Sequence, residues 1–221
     1  MITALTVNYN TPGLLKRLLV SFRKFYDIPY VVIDGSDKSN YQKIKGFDEM
    51  FNVQIHHFPH NIHHGPGMEY GIKQIKTDQI LVLDSDIIVL DGGWIERMQK
   101  ELRPTSYGIG DIQRESMISK PRLNPRKFND PEKKIKIEFP YLHPACMLIN
   151  KSVVMRYPMP IKGGAPMIMA MYEIYIQNVD ILQRSELVTQ DFWKHTKKYI
   201  QHHNDHKGMG TVVETMGYHL P

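Results

Sequence analysis

Short apolar runs of strand length alternate with helix-like segments in the first half of the chain, and this alternation restricts the fold more than any other feature. Apolar runs occupy residues 2–7, 30–33 and 79–83. Between the first two, the apolar residues of segment 14–22 recur at helical spacing. Strands that alternate with helices build βαβ units around a mainly parallel sheet, so we predict an α/β fold. The same patterns predict one more strand at 53–56 and helices at 41–47 and 68–75.

A polar cluster follows each of the three apolar runs. The clusters are Asn8-Tyr9-Asn10, Asp34-Gly35-Ser36 and Asp84-Ser85-Asp86. In open parallel sheets, ligands bind beyond the carboxyl ends of the strands. The three clusters are therefore predicted to share one site.

The second half of the chain is less regular. Its patterns predict a helix at 94–101, a strand at 107–112, a loop or loosely ordered insertion at 114–136, a strand at 146–149 and a helix at 167–177. We find no internal repeat and no linker that would divide the chain.

Composition narrows the class of protein. The chain of 221 residues has a formal net charge of +5, and much of its basic excess lies in 120–136. A solvated basic loop explains that excess, and a loop facing a substrate or a membrane is the alternative. Cys146 is the single cysteine, which excludes an intrachain disulfide and fits a reducing compartment. Without a signal peptide or a membrane-spanning run, we expect a soluble, cytoplasmic protein.

Asp84 and Asp86 are the candidate metal ligands. Alternate residues of a strand face the same way, so two carboxylates at this spacing can address one cation. Hard divalent cations prefer oxygen ligands, and Mg²⁺ is typically held by one or two carboxylates together with substrate phosphates. The alternative is a surface turn with two solvated aspartates, but a position directly after a buried strand favours metal binding.

Three segments resemble a GT-A glycosyltransferase in their order and spacing, and the chain is most similar to the large family-2 type. They are Val7-Asn8-Tyr9-Asn10-Thr11, Val32-Ile33-Asp34-Gly35-Ser36 and Leu81-Val82-Leu83-Asp84-Ser85-Asp86. The resemblance covers about residues 1–100. It implies one GT-A catalytic domain over 1–221, with a nucleotide-sugar-binding half at 1–100 and an acceptor half at 101–221.

The resemblance also implies which residues hold the donor. Val7, through its backbone, and Tyr9 would contact the nucleobase, and Asp34 would accept a hydrogen bond from uracil N3–H. The alternatives are ordinary packing for Tyr9 and a turn-forming role for Asp34. Asp84-Ser85-Asp86 would hold the metal and the diphosphate.

The glycine-rich segment before residue 71 resembles the family's approach to the donor phosphates. Gly65 and Gly67 could offer backbone N–H groups to an anion at the start of a helix, or could simply form a turn. Met68 and Glu69 stand where the family usually has Arg and Asn, which puts side-chain contacts to phosphate in doubt.

The remaining implied roles fall late in the chain. The family's Glu-Asp pair, whose aspartate deprotonates the acceptor, has no direct match here, so Glu173 and Asp191 are the candidate bases. A late histidine often completes the metal shell in GT-A enzymes. His206 fits best and His203 second, and a polar tail is the alternative.

The resulting hypothesis is a hexosyltransferase that uses Mn²⁺ or Mg²⁺ and moves a sugar from a nucleoside diphosphate sugar to a glycan or other hydroxyl acceptor. A UDP-linked donor is favoured over a GDP-linked one. One alternative is a non-catalytic module of glycosyltransferase-like fold. Another is a sugar-1-phosphate nucleotidyltransferase, although the first strand lacks the basic glycine-rich loop that such an enzyme needs. The basic residues do not line a helix, so nucleic acid is not an expected partner.

Overall fold

A seven-stranded sheet organises the computed structural model of the protein, which describes residues 1–119, 135–161, 165–188 and 200–202. The strands are β1 (Ile2–Asn8), β2 (Tyr30–Asp34), β3 (Gln54–His57), β4 (Gln79–Leu83), β5 (Ile87–Val89), β6 (Gly108–Ser119), β7 (Ile135–Asn150), β8 (Leu182–Arg184) and β9 (Ile200–His202). The helices are α1 (Pro12–Arg23), α2 (Lys38–Ile44), α3 (Phe47–Phe51), α4 (His64–Gln74), α5 (Trp94–Glu101), α6 (Lys151–Val154) and α7 (Ile168–Ile176).

The sheet order places the carboxyl ends of four parallel strands together. The order is β3-β2-β1-β4-β7-β6-β8, and β5 pairs separately with β9. β1 pairs in parallel with β2 and β4, and β2 pairs in parallel with β3. β7 runs antiparallel to its neighbours β4 and β6, and β6 pairs in parallel with β8. We call the side of the sheet where Asn8, Asp34, His57 and Leu83 end their strands the carboxyl edge. This confirms the predicted α/β fold with a mainly parallel sheet.

Both faces of the sheet are covered, which explains why its strands are almost continuously apolar. Consecutive strand residues point to opposite faces. Val32 therefore lies in one core, which α1 covers, while Ile33 lies in the other, which α4 and α7 cover. Leu15, Leu18, Leu19 and Phe22 of α1 are fully buried at the helical spacing seen in the sequence.

Helix α4 begins at His64, four residues before the predicted start, and approaches β1 closely. A Cβ atom at Gly67 would lie 2.8 Å from Val7 Cγ1, and one at Gly71 would lie 2.4 Å from Leu5 Cδ1. Glycine lets the helix backbone come this near to the sheet. The start of α4 is thereby held over the carboxyl end of β1.

The prediction of a loop or insertion at 114–136 was wrong for the described parts of that range. β6 and β7 continue as paired antiparallel arms as far as Ser119 opposite Ile135. Apolar and charged residues alternate along the segment 135–139, which is the pattern of a half-buried strand. Lys136 of this segment therefore belongs to a strand and not to the basic loop that the sequence predicts.

The last described strand returns to the site region. β9 pairs antiparallel with β5, and its final residue, His202, lies opposite Ile87. Ile87 directly follows Asp86, so this pairing brings the late part of the chain beside the predicted metal motif. Among the described residues, no helix is long and apolar enough to cross a membrane.

Candidate functional site

The Asp84-Ser85-Asp86 motif forms a tight turn at the carboxyl edge. The Asp84 N–H donates to the Ala145 carbonyl of β7 (3.0 Å), and the Ile87 N–H donates back to the Asp84 carbonyl (3.2 Å). The sequence analysis expected Asp84 and Asp86 to face the same way as alternate residues of a strand. In the structure, a turn after β4 sets the positions of both carboxylates instead. Asp86 is 3% exposed, whereas the Asp84 side chain is 22% exposed.

His64, the first residue of α4, lies beside this turn. Its Nε2 atom is 3.4 Å from Asp84 Oδ1. The residue before it, His63, has a φ of 63° and a ψ of 159°, a conformation that is nearly confined to glycine and costs about 1–3 kcal/mol. The Asn61 side chain holds this bend by accepting from the His63 N–H at 2.8 Å. The strained bend directs α4 so that its start faces Asp84.

A third carboxylate, Asp111, lies near the same edge, and the sequence analysis missed it. It is 4% exposed, and Gln113 Nε2 donates to its Oδ2 at 2.8 Å. Asp111 falls at the register shift between Gly110 and Ile112, where a bulge can redirect a side chain. Burial raises the pKa of the Cys146 thiol, and the negative charges of Asp84 and Asp111 raise it further. Both carboxylates are therefore close to Cys146, and this part of the edge is strongly acidic.

Glu115, farther along β6, is a second acidic residue that the sequence analysis missed. It is about half-buried, and this burial raises the pKa of its carboxyl, opposed by a hydrogen bond from the Ser116 backbone. Burial also raises the pKa of Tyr141 on the neighbouring strand, with added effects from Glu115 and Asp84. Tyr141 thus lies within electrostatic reach of both acids.

Asp34 is fully buried and its carboxylate is surrounded by donors. Asn8 Nδ2 donates to Oδ1 at 2.7 Å, and Ser36 Oγ donates to the same atom at 2.6 Å. The Ser36 N–H points at Oδ2 at 3.3 Å, and His57 Nδ1 lies 2.7 Å from that atom. The four acceptor positions of a carboxylate are therefore used by the protein. This network leaves no exposed Asp34 oxygen for the base contact that the sequence analysis expected.

A continuous path of polar side chains connects Asp34 with the Asp84 turn. Thr11 Oγ1 donates to Asn8 Oδ1 at 2.7 Å, which orients the Asn8 amide toward Asp34. The same Thr11 oxygen lies 3.4 Å from Ser85 Oγ. The structure thus joins the three polar clusters that the sequence placed in one site.

The other residues expected around the donor lie near this path. Val7 is half-buried and packs against α4, and Tyr9 follows β1 with partial exposure. The Gly67 N–H donates to the His63 carbonyl at 3.0 Å, so this N–H is used within the helix. Gly65 lies in the first turn, where N–H groups have no partner inside the helix. A Cβ at Gly65 would lie 1.7 Å from the Ile161 carbonyl oxygen, so packing alone already requires glycine there.

Glu173, one of the residues expected to complete catalysis, is not linked to the Asp84 turn by the contacts that the structure describes. Glu173 lies on α7, and its Oε1 accepts a hydrogen bond from Gln177 Nε2 at 2.9 Å within the same chain segment. Asp191, His203 and His206 lie outside the described residues. Among the residues that are described, no group of three or more His, Cys, Asp and Glu side chains could hold a metal.

Comparison with protein families gives a match over most of the chain. Residues 3–157 match the family described as Glycosyl transferase family 2. No curated protein matches the chain.

Solved structures share its fold at low sequence identity. A mannosyltransferase from Pyrobaculum calidifontis, solved with GDP-Man and Mn²⁺, aligns with a TM-score of 0.58 and 14% identity, over 86% of this chain and 58% of that one. TarS from S. aureus, solved with UDP, aligns with a TM-score of 0.57 and 15% identity, over 90% and 59%. The chain therefore spans less than two thirds of these structures.

Proposed function

The chain belongs to glycosyl transferase family 2 and has the GT-A fold, and from that premise we propose that it transfers a hexosyl group from a nucleoside diphosphate sugar to an acceptor hydroxyl. The observation that carries the proposal is the polar path from the Asp84 turn to Asp34. It runs along the edge of a parallel sheet where ligands of α/β folds bind. Two fold relatives were solved with nucleotides, one with GDP-Man and one with UDP.

We propose that Asp84 and Asp86 hold a divalent cation, Mn²⁺ or Mg²⁺. Their oxygens suit such ions, which need only one or two carboxylates when substrate phosphates supply further ligands. A buried carboxylate such as Asp86, two residues from Asp84 in the same turn, also favours a nearby positive charge. When bound, the metal would offset negative charge on the leaving diphosphate.

The start of α4 is the proposed contact for the donor phosphates. Helix N-termini carry a partial positive charge and unpaired N–H groups, which favour anions. The Gly65 N–H and the His64 side chain lie there, beside Asp84. This arrangement would supply positive character without the Arg that family members usually carry at the position of Met68.

The base that assists the acceptor hydroxyl must come within about 3 Å of its proton. Glu173 and Asp191 remain predictions from the sequence. Glu115 is a competing candidate, because it is a half-buried carboxyl within electrostatic reach of Tyr141, whose pKa is also affected by Asp84. Asp111 is more deeply buried and is held by Gln113, which suits a supporting role.

His206 or His203 is proposed to join the metal site when the late segment closes over the donor. The pairing of His202 with Ile87 supports this, because Ile87 directly follows Asp86. Closure would exclude water and protect the donor from hydrolysis. Val7 and Tyr9 are proposed to contact the nucleobase at the other end of the site.

The proposal is tested by incubating the purified chain with UDP- and GDP-linked hexoses, with Mn²⁺ or with EDTA, and by following release of UDP or GDP. Metal-dependent release that rises when glycan acceptors are added is the expected result. Nucleotide binding without release, across a broad acceptor panel, would favour the non-catalytic module. Absence of both binding and release would reject the proposal.

A further inference from the structure

His57 ends β3 at the carboxyl edge, and its ring is fixed on two sides. Its Nδ1 atom lies 2.7 Å from Asp34 Oδ2, and its ring stacks on Tyr41 with a centroid separation of 3.6 Å and an interplanar angle of 12°. The His57 side chain is nevertheless 21% exposed, whereas Asp34 is fully buried. Of the two, His57 is the residue that a ligand at this edge can touch.

The surroundings of Asp34 decide which ring nitrogen of His57 carries the proton. Asn8 Nδ2 and the Ser36 N–H can only donate, and both point at the Asp34 carboxyl. Ser36 Oγ accepts from the Asn10 N–H at 2.8 Å and uses its own proton toward Asp34. An ionised carboxylate only accepts hydrogen bonds, so His57 Nδ1 must be the donor. In the neutral ring, Nε2 then carries a lone pair and acts as an acceptor.

The second nitrogen is available for a ligand. His57 contacts Asp34 through Nδ1 and Tyr41 through its ring face, and Nε2 has no hydrogen-bond partner within the part of the chain that the structure describes. The polar side chains Asp34, Asn8 and Thr11 connect this ring to Ser85. β3 lies three strand spacings from β4, about 14 Å, which suits an extended nucleotide whose phosphates lie at β4.

We propose that His57, positioned by Asp34 and Tyr41, reads the nucleobase of the donor by accepting a ring N–H at Nε2. This inference rests on the proposed function. Uracil has such a group at N3 and guanine at N1. Cytosine and adenine have a bare nitrogen at the corresponding ring position, which would face the Nε2 lone pair. The site should therefore select uracil or guanine nucleotides and reject cytosine and adenine nucleotides, because a mismatch leaves two acceptors opposed.

The assignment changes the role expected for Asp34. Its carboxylate fixes the tautomer and orientation of His57, so Asp34 is a positioning residue and His57 makes the contact. The resemblance to family 2 had implied a direct contact by the aspartate. Register explains the change, because β2 and β3 pair so that Asp34 stands directly opposite His57.

The test compares nucleotides that differ only in the ring N–H. Calorimetry with Mn²⁺ measures the affinities of UDP and of UDP methylated at N3, and of GDP and of GDP methylated at N1. Methylation removes one hydrogen bond, so the methylated form of the preferred nucleotide should bind the wild-type protein about tenfold more weakly than the parent form does. His57→Ala should bind the parent and methylated forms equally, at the weaker affinity.

His56 provides the matched control. It is the preceding residue of β3, and its ring packs instead against Tyr70, at a centroid separation of 5.5 Å. His56→Ala should keep the wild-type preference for the parent nucleotide. Thermal unfolding checks that both variants are folded, and the wild-type comparison of parent and methylated nucleotides needs no substitution at all.

The outcomes separate this inference from the proposed function. Nucleotide binding by the wild type with no penalty for methylation, or an unchanged preference in His57→Ala, overturns the role of His57 and leaves the glycosyltransferase proposal standing. A wild-type preference for CDP over UDP, or for ADP over GDP, would also overturn the role of His57 and leave the glycosyltransferase proposal standing. Failure of the wild type to bind any nucleoside diphosphate overturns both.

Discussion

His64 Nε2 lies 3.4 Å from Asp84 Oδ1, so the start of α4 faces the turn that follows β4. These two residues belong to separate elements, because α4 begins at His64 and β4 ends just before Asp84, both at the carboxyl edge. Between them they offer a carboxylate for a cation and an imidazole with helix N–H groups for an anion. A metal–diphosphate complex requires both kinds of partner at one place.

Removing Asp86 should strongly reduce the metal-dependent part of nucleotide binding. Asp86→Ala is expected to weaken Mn²⁺-dependent UDP or GDP affinity by about 100-fold or more, because removing a ligand costs at least as much as removing a residue that supports one. Calorimetry with and without Mn²⁺ measures the effect. Asp91→Ala, at an exposed aspartate five residues later, should behave like wild type. Undiminished Mn²⁺ dependence in Asp86→Ala would remove this residue from the metal site.

His64 should contribute to diphosphate affinity more weakly than the metal does. His64→Ala is expected to reduce affinity for UDP or GDP about tenfold, the scale of one hydrogen bond to a charged group, with little change for the free nucleoside. Binding of uridine or guanosine beside the diphosphate separates the two contributions. His60→Ala, at an exposed histidine in the same segment, is the control. An equal loss for nucleoside and diphosphate would contradict a phosphate role.

Gly71 should be required for the stability of the fold. A Cβ there would lie 2.4 Å from Leu5 Cδ1, so Gly71→Ala forces α4 away from β1 and should cost about 1–3 kcal/mol in the free energy of unfolding. Urea unfolding measures this. Gly13→Ala, in α1 with no atom within 4 Å of the added Cβ, should instead be neutral or stabilise by about 0.4–1 kcal/mol. Equal effects of the two substitutions would show that the close approach of α4 to β1 does not limit stability.

The sequence predicted the sheet and the meeting of three polar clusters at its carboxyl edge because both follow from local patterns. The apolar runs before Asn8, Asp34 and Leu83 have strand length, and their polar ends meet once the strands are parallel. The same argument applies to His57. It directly follows the strand predicted at 53–56, and in the structure it is the last residue of β3.

The remaining parts of the site depend on tertiary contacts that no local pattern contains. The partner of Asp34 is 23 residues away and is set by the register of β2 and β3. Asp111 is directed by a bulge whose position depends on pairing with β7. The orientation of Asp84 and Asp86 arises from a turn closed against Ala145, another contact between distant segments.

The stability of the wild-type protein should depend on pH differently from that of Glu115→Gln, in which a neutral amide replaces the ionisable carboxyl. Burial raises the pKa of that carboxyl, so the folded protein holds this proton more tightly than the unfolded chain does. The resulting stabilisation is complete below the ordinary glutamate pKa and is lost as the pH rises through the raised value. Wild type should therefore lose stability relative to Glu115→Gln as the pH rises from about 4 to about 7.

Thermal unfolding across that pH range measures the difference between wild type and Glu115→Gln. Glu186→Gln, at an exposed glutamate, should stay parallel to wild type throughout. A wild-type protein that gains stability relative to Glu115→Gln with rising pH would have the opposite sign, and would show that a favourable interaction of the charged carboxylate outweighs its burial.

Asp34→Asn should change which nucleobase the protein prefers. An amide oxygen can still accept from Asn8 Nδ2 and Ser36 Oγ, which leaves the amide nitrogen facing His57 Nδ1. This orientation gives up the longer contact from the Ser36 N–H, at 3.3 Å. The amide would then donate to Nδ1, so the proton of the neutral ring would move to Nε2. His57 would become a donor and would favour a bare ring nitrogen, as in cytosine or adenine.

Competition calorimetry with UDP, CDP, GDP and ADP in the presence of Mn²⁺ tests this switch. In wild type, UDP should bind better than CDP by about tenfold, or GDP better than ADP, whereas Asp34→Asn should reduce or reverse that ratio. Asp27→Asn, at a side chain that is 93% exposed, should leave the ratio unchanged. A purely structural role for Asp34 would lower all four affinities together, so an unchanged ratio in Asp34→Asn would contradict its control of the His57 tautomer. Combining Asp34→Asn with His57→Ala completes the argument, because the ratio should then be the same as in His57→Ala alone.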